Sequence, residues 1–119
     1  MARTALVTGY LNGMGKGTYE SLKARGYDVI GWDYADDPAV AVDVSSVESV
    51  RAGIERFPEG TKLDAVALCA GVWSEAPFMQ TSFEEFHRLV EIDLFGMFNC
   101  VQQLVPHMNE HGAFCCISS

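Results

Sequence analysis

Thr8-Gly9-Tyr10-Leu11-Asn12-Gly13-Met14-Gly15 follows the apolar run Ala5-Leu6-Val7 and opens what reads as a helix. That context separates a phosphate-cradling turn from a chance cluster of glycines. Gly9 can take the positive φ that a tight strand-to-helix turn needs, Gly13 lets backbone approach a pyrophosphate, and Gly15 lets the helix pack close to its strand. The helix N-terminus offers unpaired N–H groups and a partial positive charge to an anion.

Around this turn, strand and helix patterns alternate along the chain. Strand one spans about Thr4 to Thr8, and helix one about Met14 to Arg25, closed by Gly26 where a left-handed residue is wanted. Strand two is Asp28 to Asp33. Tyr34 to Pro38 is too short for a crossover helix, yet Val40-Ala41-Val42-Asp43-Val44 reads as a third strand, so the intervening helix is reduced to a loop. Ser45-Ser46-Val47-Glu48 predicts a capping box opening a helix to about Phe57, which Pro58 and Gly60 end. Strand four is Asp64 to Cys69. Ser82 and Glu85 form a second capping box for a long helix reaching about Met108, and Gly112 to Ser118 is the fifth strand. About five strands separated mostly by helices predict an α/β fold with a parallel sheet covered on both faces, and ligands at the carboxyl ends of strands one and four.

A chain of 119 residues, 49% of them apolar, suffices for one domain with a real core. A formal charge of -8 and the lack of a basic stripe argue against nucleic acid or an anionic membrane as partner. The apolar run before Gly9 is too short for a signal peptide and no stretch approaches a membrane span, so a cytoplasmic location is expected. Cys69, Cys100, Cys115 and Cys116 lack metal-ligand spacing and read as reduced, small core residues. His87, His107 and His111 have no spacing or carboxylate partner that suggests a metal or a base, and read as exposed helix residues. No metal site is predicted.

The long helix, 82–108, is apolar on more than one side. Phe86, Leu89, Val90, Met97, Val101, Leu104 and Met108 cover one side, while Phe83, Leu94, Phe98 and Val105 cover another. One face must lie on the sheet. The second belongs either to neighbouring core or to a partner subunit. Trp73 and Phe78, in the loop after strand four, either shape a substrate pocket or pack on the core.

The chain resembles the N-terminal half of a short-chain dehydrogenase/reductase. Thr8-Gly9-x-x-x-Gly13-x-Gly15 fits that family's glycine motif, and further landmarks follow in register. They are Asp33 ending strand two, Asp43-Val44 after strand three, Cys69-Ala70-Gly71 after strand four, Ile92-Asp93-Leu94-Phe95-Gly96 in the long helix, and Ile117-Ser118-Ser119 ending strand five. The resemblance implies a Rossmann-like three-layer fold over residues 1–119, with strand order 3-2-1-4-5, incomplete at the C-terminus relative to the family. It implies that NAD is held by Gly9, Asn12, Gly13, Met14 and Gly15, by Asp33 and Tyr34, by Asp43 and Val44, by Cys69, Ala70 and Gly71, and by Ile117.

A carboxylate at Asp33 is either a solvated turn residue or an acceptor for the adenosine ribose hydroxyls that repels a 2′-phosphate. No arginine follows it and Asn12 is not basic, which favours NAD over NADP. In the family, the Asp43 position contacts the adenine amino group and the Val44 backbone lines its pocket. Asp43 equally suits a helix-capping carboxylate, and both roles can hold together. The resemblance also implies that the Ala70-Gly71 turn lies against the nicotinamide-side ribose.

Of the family's catalytic residues, Ser119 occupies the Ser position and would hydrogen-bond the substrate oxygen. The family's Tyr-x-x-x-Lys belongs further on than Ser119. Tyr19-x-x-x-Lys23 matches its spacing but lies in the first helix, behind the glycine turn, and is an ordinary helix face. Asp93 stands where the family has Asn, and an ionised carboxylate cannot donate a hydrogen bond. Leu68-Cys69 replaces two asparagines whose amides brace the sheet, so backbone partners must be found elsewhere.

The resemblance implies an NAD-dependent oxidoreductase that transfers hydride between the nucleotide and an alcohol or carbonyl substrate. The 119-residue chain alone is expected to be inactive, and its Gly112–Ser119 edge to associate or need a partner chain. A homo-oligomer through the helix 82–108 is expected. Two rivals are a non-catalytic NAD-binding or regulatory module and a Rossmann-like methyltransferase, whose glycine loop is usually more tightly spaced.

Overall fold

The computed structural model describes residues 2–118. Strand β1 (Thr4–Thr8) leads through the glycine turn into helix α1 (Gly13–Ala24) and on to β2 (Asp28–Trp32), α2 (Val47–Glu55) and β3 (Leu63–Leu68). A 3-10 turn (Phe78–Gln80) precedes α3 (Phe83–Val90), which continues through a π-helical turn (Glu91–Phe95) into α4 (Gly96–Leu104). A second 3-10 turn (Val105–His107) then delivers β4 (Met108–Cys116). The strands pair in parallel in the order β2-β1-β3-β4.

Successive side chains of a strand point to opposite faces, so Ala5, Leu6 and Val7, each 0% exposed, require cover on both sides of β1. Helix α1 packs against β1, β2 and β3. On the other face Leu6, Trp32, Val66 and Leu68 form the main core with Val50 of α2 and Cys100 and Leu104 of α4. Trp32 stacks on Phe57 with ring centroids 5.7 Å apart. Gly53 makes room for that indole, since a Cβ there would lie 2.9 Å from it.

Local signals set most boundaries. Gly26 takes φ 89, and Gly26 N–H donates to the Lys23 carbonyl while Tyr27 N–H donates to the Leu22 carbonyl, the paired bonds that close a helix through a left-handed residue. Helix α2 is capped one residue later than the sequence suggests. Ser46, not Ser45, accepts the N–H of Ser49, because Ser45 is drawn to Asp43. Ser82 caps α3 by accepting the N–H of Glu85, whose carboxylate pairs with Arg88 instead of reaching back.

The expected third strand is the main correction. Residues 40–44 make one parallel bridge, Asp33 to Ala41, so the sheet has four strands and the bridge sits beside β2. Asp37 turns the chain by accepting the Val40 and Ala41 N–H groups, and Asp43 turns it again by accepting from Ser46, which leaves too short a span for a ladder. The helical run is likewise broken into α, π and 3-10 stretches, and β4 starts at Met108, four residues before the expected Gly112, with a register break between Leu63 and Ala65. On that run Phe83, Phe86, Leu94, Phe98 and Val105 are exposed, so neighbouring core among the described residues does not cover the second apolar face.

Candidate functional site

A cleft of about 510 Å³ opens at the carboxyl ends of β1, β2 and β3. Its floor is the glycine turn. Gly9 takes φ 69 and donates its N–H to the Trp32 carbonyl at 2.8 Å, and a Cβ on it would lie 2.9 Å from the Ala70 backbone. A Cβ at Gly15 would strike the Gly9 carbonyl oxygen, so the helix can seat against the turn only with glycine there. Gly13, at φ 57, faces open space. Asn12 precedes α1 without capping it through its side chain, and first-turn N–H groups have no intrahelical acceptor.

The wall beyond β2 carries two carboxylates held by backbone. Asp33 Oδ2 accepts the Leu11 N–H at 2.9 Å and its Oδ1 accepts the Tyr34 N–H at 2.7 Å. Asp43 Oδ1 accepts both the N–H and the hydroxyl of Ser45, at 3.0 and 2.6 Å, so it does brace the turn before α2. Val44 is fixed from behind by α4. Asn99, 3% exposed, donates to the Val44 carbonyl at 2.8 Å, and Gln103 donates to Asn99 Oδ1 at 2.7 Å. Gly96 allows this approach, because a Cβ there would lie 2.7 Å from Val44 Cγ2.

The opposite wall is the turn after β3. The buried Thr8 hydroxyl accepts the Ala70 N–H at 3.1 Å, and the Thr8 carbonyl accepts the Cys69 N–H. Ile117 N–H donates to the Leu68 carbonyl, carrying the β3–β4 pairing past Cys116. Asp93, in the π turn, accepts the Val72 N–H at 2.7 Å. Burial pushes the Cys69 thiol up from its ordinary range, which leaves it a poor nucleophile.

Of the sequence-predicted residues, Gly9, Asn12, Asp33, Tyr34, Asp43, Val44, Cys69, Ala70 and Gly71 line this cleft. Gly13, Met14, Gly15, Ile117 and Asp93 lie outside its lining: Gly15 is buried under the turn and Met14 is exposed. Ser119 lies outside the described residues. Sequence reasoning missed Trp32, Val42, Ser45, Val72, Arg88 and Ile92, which the fold brings to the same cleft. Arg88 is the cationic member, and it is held by both oxygens of Glu85, at 3.2 and 2.8 Å. Its i, i+3 spacing from Glu85 was visible; its place at the cleft was not. Among the described residues no three His, Cys, Asp or Glu side chains gather to hold a metal ion, and no helix is long and apolar enough to cross a membrane.

A parallel sheet wrapped by helices, with a glycine turn at the carboxyl end of its central strand, defines a Rossmann-like α/β fold. Residues 9–119 match the protein family described as enoyl-(acyl carrier protein) reductase. The chain is 31% identical over 124 residues to the 2-dehydro-3-deoxy-L-rhamnonate dehydrogenase (NAD(+)) of a Sphingomonas species, covering 92% of this chain and 50% of that protein. Among solved structures, aldohexose dehydrogenase of Thermoplasma acidophilum superposes with a TM-score of 0.82 at 25% identity, over 90% of this chain and 44% of that one. The 3-ketoacyl-(acyl-carrier-protein) reductase of Brucella melitensis, solved with NADH, shares the fold at a TM-score of 0.79 and 24% identity, over 88% of this chain and 49% of that one. The chain belongs to the short-chain dehydrogenase/reductase family of oxidoreductases. It spans about half the length of the curated relatives it matches.

Proposed function

We propose that residues 1–119 form an NAD-binding domain of an oxidoreductase that interconverts an alcohol and a carbonyl compound. The cleft fits the group. A turn that excludes any Cβ at Gly9 and Gly15 but stays open at Gly13 leaves backbone room for a pyrophosphate before a helix N-terminus. Bound there, NAD supplies the two-electron acceptor or donor. Gly9, Asn12, Gly13, Met14 and Gly15 hold the pyrophosphate side. Asp33 and Tyr34 take the adenosine ribose. Asp43 Oδ2, left free by Ser45, and the Val44 backbone take the adenine. Cys69, Ala70, Gly71 and Ile117 lie toward the nicotinamide. Ser119 hydrogen-bonds the substrate oxygen, and Asp93 acts through the turn it braces.

The observation that carries the reading is the Asp33 carboxylate, fixed at the cleft by two backbone N–H groups, with the cleft's Arg88 paired to Glu85. A carboxylate so placed accepts from ribose hydroxyls and repels a 2′-phosphate. Calorimetric titration tests it. NAD should bind about tenfold or more tighter than NADP, and Asp33→Ala should narrow the gap. Equal affinities would sink the assignment. The exposed apolar stripe Phe83, Phe86, Leu94, Phe98 and Val105 is the surface we assign to a second copy of the chain.

A further inference from the structure

Three consecutive residues of the glycine turn are clamped to the last residues of β2 and the carboxylate beyond them. Gly9 donates its N–H to the Trp32 carbonyl at 2.8 Å, and Leu11 donates its N–H to Asp33 Oδ2 at 2.9 Å. Between them the Tyr10 ring lies flat on Gly31, where a Cβ would sit 2.6 Å from the ring carbons. The ring is backed in turn by Tyr19 of α1, with centroids 4.8 Å apart, and Lys23 lies 5.3 Å over the Tyr19 ring. Burial pushes the Tyr10 hydroxyl up, with Tyr19, Asp37 and Asp33 adding to the effect, as befits a ring wedged beside carboxylates. The Tyr10 side chain thus sits between the two bonds, one residue before the N–H that holds Asp33 Oδ2, while Tyr34 N–H holds Oδ1. An N–H anchored beside a packed ring helps hold its acceptor to one rotamer.

We propose that Tyr10 is a positioning residue for dinucleotide choice: seated on Gly31, its ring holds the Leu11 N–H on Asp33 and so fixes the carboxylate that tells a free ribose 2′-hydroxyl from a 2′-phosphate. This rests on the reading of Asp33 as the ribose partner. With the ring gone, Asp33 keeps the Tyr34 N–H on Oδ1 but loses the Leu11 N–H that aims Oδ2, which weakens NAD and lets Oδ2 turn from a 2′-phosphate, relieving NADP.

The test is calorimetric titration of the full chain with NAD and with NADP, beside a thermal melt, for wild type, Tyr10→Ala, Tyr10→Phe, Gly31→Ala, Asp33→Asn and the double variant Tyr10→Ala with Asp33→Asn. Tyr10→Ala should narrow the NAD preference by about fivefold, the worth of one ordinary hydrogen bond. Tyr10→Phe should restore it, because the ring and not the hydroxyl is what seats. Gly31→Ala should narrow it by a similar factor with Tyr10 intact, which keeps the test decisive if Tyr10→Ala does not fold. Adding Tyr10→Ala to Asp33→Asn should narrow it no further than Asp33→Asn alone, since both act through one carboxylate. A Tyr10 that merely supports the fold would lower the melting temperature and weaken both nucleotides equally; an unchanged ratio in Tyr10→Ala and Gly31→Ala, with Asp33→Asn abolishing the preference, overturns the inference. No preference in the wild type would instead overturn the ribose reading beneath it.

Discussion

Asp93 Oδ1 accepts the backbone N–H of Val72 at 2.7 Å, and so ties the π turn of the long helix to the loop leaving β3. A π turn re-aims side chains within a helix and is common where a helix meets a functional site. Gly71 is part of the same fit, since a Cβ there would lie 3.1 Å from that oxygen. Asp93→Ala should cost about 1–2 kcal/mol and expose the Val72 amide to hydrogen exchange. Asp93→Asn keeps an acceptor and should stay within about 0.5 kcal/mol of wild type. Urea unfolding and amide exchange read both, and an unprotected Val72 amide in the wild type would contradict the arrangement.

Gly13 and Gly15 of the turn should differ on substitution. Gly15→Ala drives a methyl group into the Gly9 carbonyl, and should destabilise by about 1–3 kcal/mol and abolish dinucleotide binding. Gly13→Ala has open space and pays only for its positive φ, about 1 kcal/mol, while blocking approach to the pyrophosphate. Chemical denaturation beside titration separates the two, and equal losses of stability would show the close contact at Gly15 to be wrong.

Thiol reactivity should divide by burial. The Cys100 thiol is pushed up to about 12 by burial in the core and Cys69 is raised by the same cause, whereas Cys115 and Cys116 are exposed. At about pH 8 a disulfide reagent should label Cys115 and Cys116 quickly, Cys69 slowly, and Cys100 only on unfolding. Rapid labelling of Cys100 would show α4 to be loosely packed.

Asp64 links the amino ends of the strands by accepting the Thr4 N–H at 2.8 Å and the Asn109 amide at 2.8 Å, and these bonds hold its carboxyl below the ordinary range. A carboxyl with a depressed folded pKa stabilises the fold above its unfolded pKa, and that stability is lost as pH falls through the folded value. Acid should therefore loosen this end, and Asp64→Asn should flatten the dependence of melting temperature on pH between about 5 and 2. An unchanged slope would remove Asp64 from the acid response.

Charges on the exposed helix stripe should disperse any self-association. Leu94 is 67% and Phe98 59% exposed, so Leu94→Glu with Phe98→Glu should leave the melting temperature nearly unchanged while lowering the sedimentation-derived mass toward the monomer. A wild-type chain that sediments as a monomer at every concentration would withdraw the stripe from that role.

Period, punctuation and spacing were legible in the sequence because each acts over a few residues. The glycine turn, the left-handed Gly26, the Ser82 cap, and the four strands of the sheet follow from local chain stereochemistry and from which residues must leave water. Nine of the residues that line the cleft are ones the resemblance to the family points to, through the glycine motif and its landmarks. What tertiary structure alone decided is everything that depends on a partner distant in the chain. Residues 40–44 had the pattern of a strand, but Asp37 and Asp43 spend that backbone on turns. Asn99 and Gln103 stand among apolar residues of α4, and only the fold brings the Val44 carbonyl, 55 residues away in the chain, to the Asn99 amide that Gln103 supports. Tyr10 is an ordinary loop aromatic by sequence, and only the strand that ends beside it, with glycine at 31, turns its ring into part of a clamp. Local chemistry sets conformation within a few bonds, whereas contact across the sheet is set by packing, which no short stretch encodes by itself.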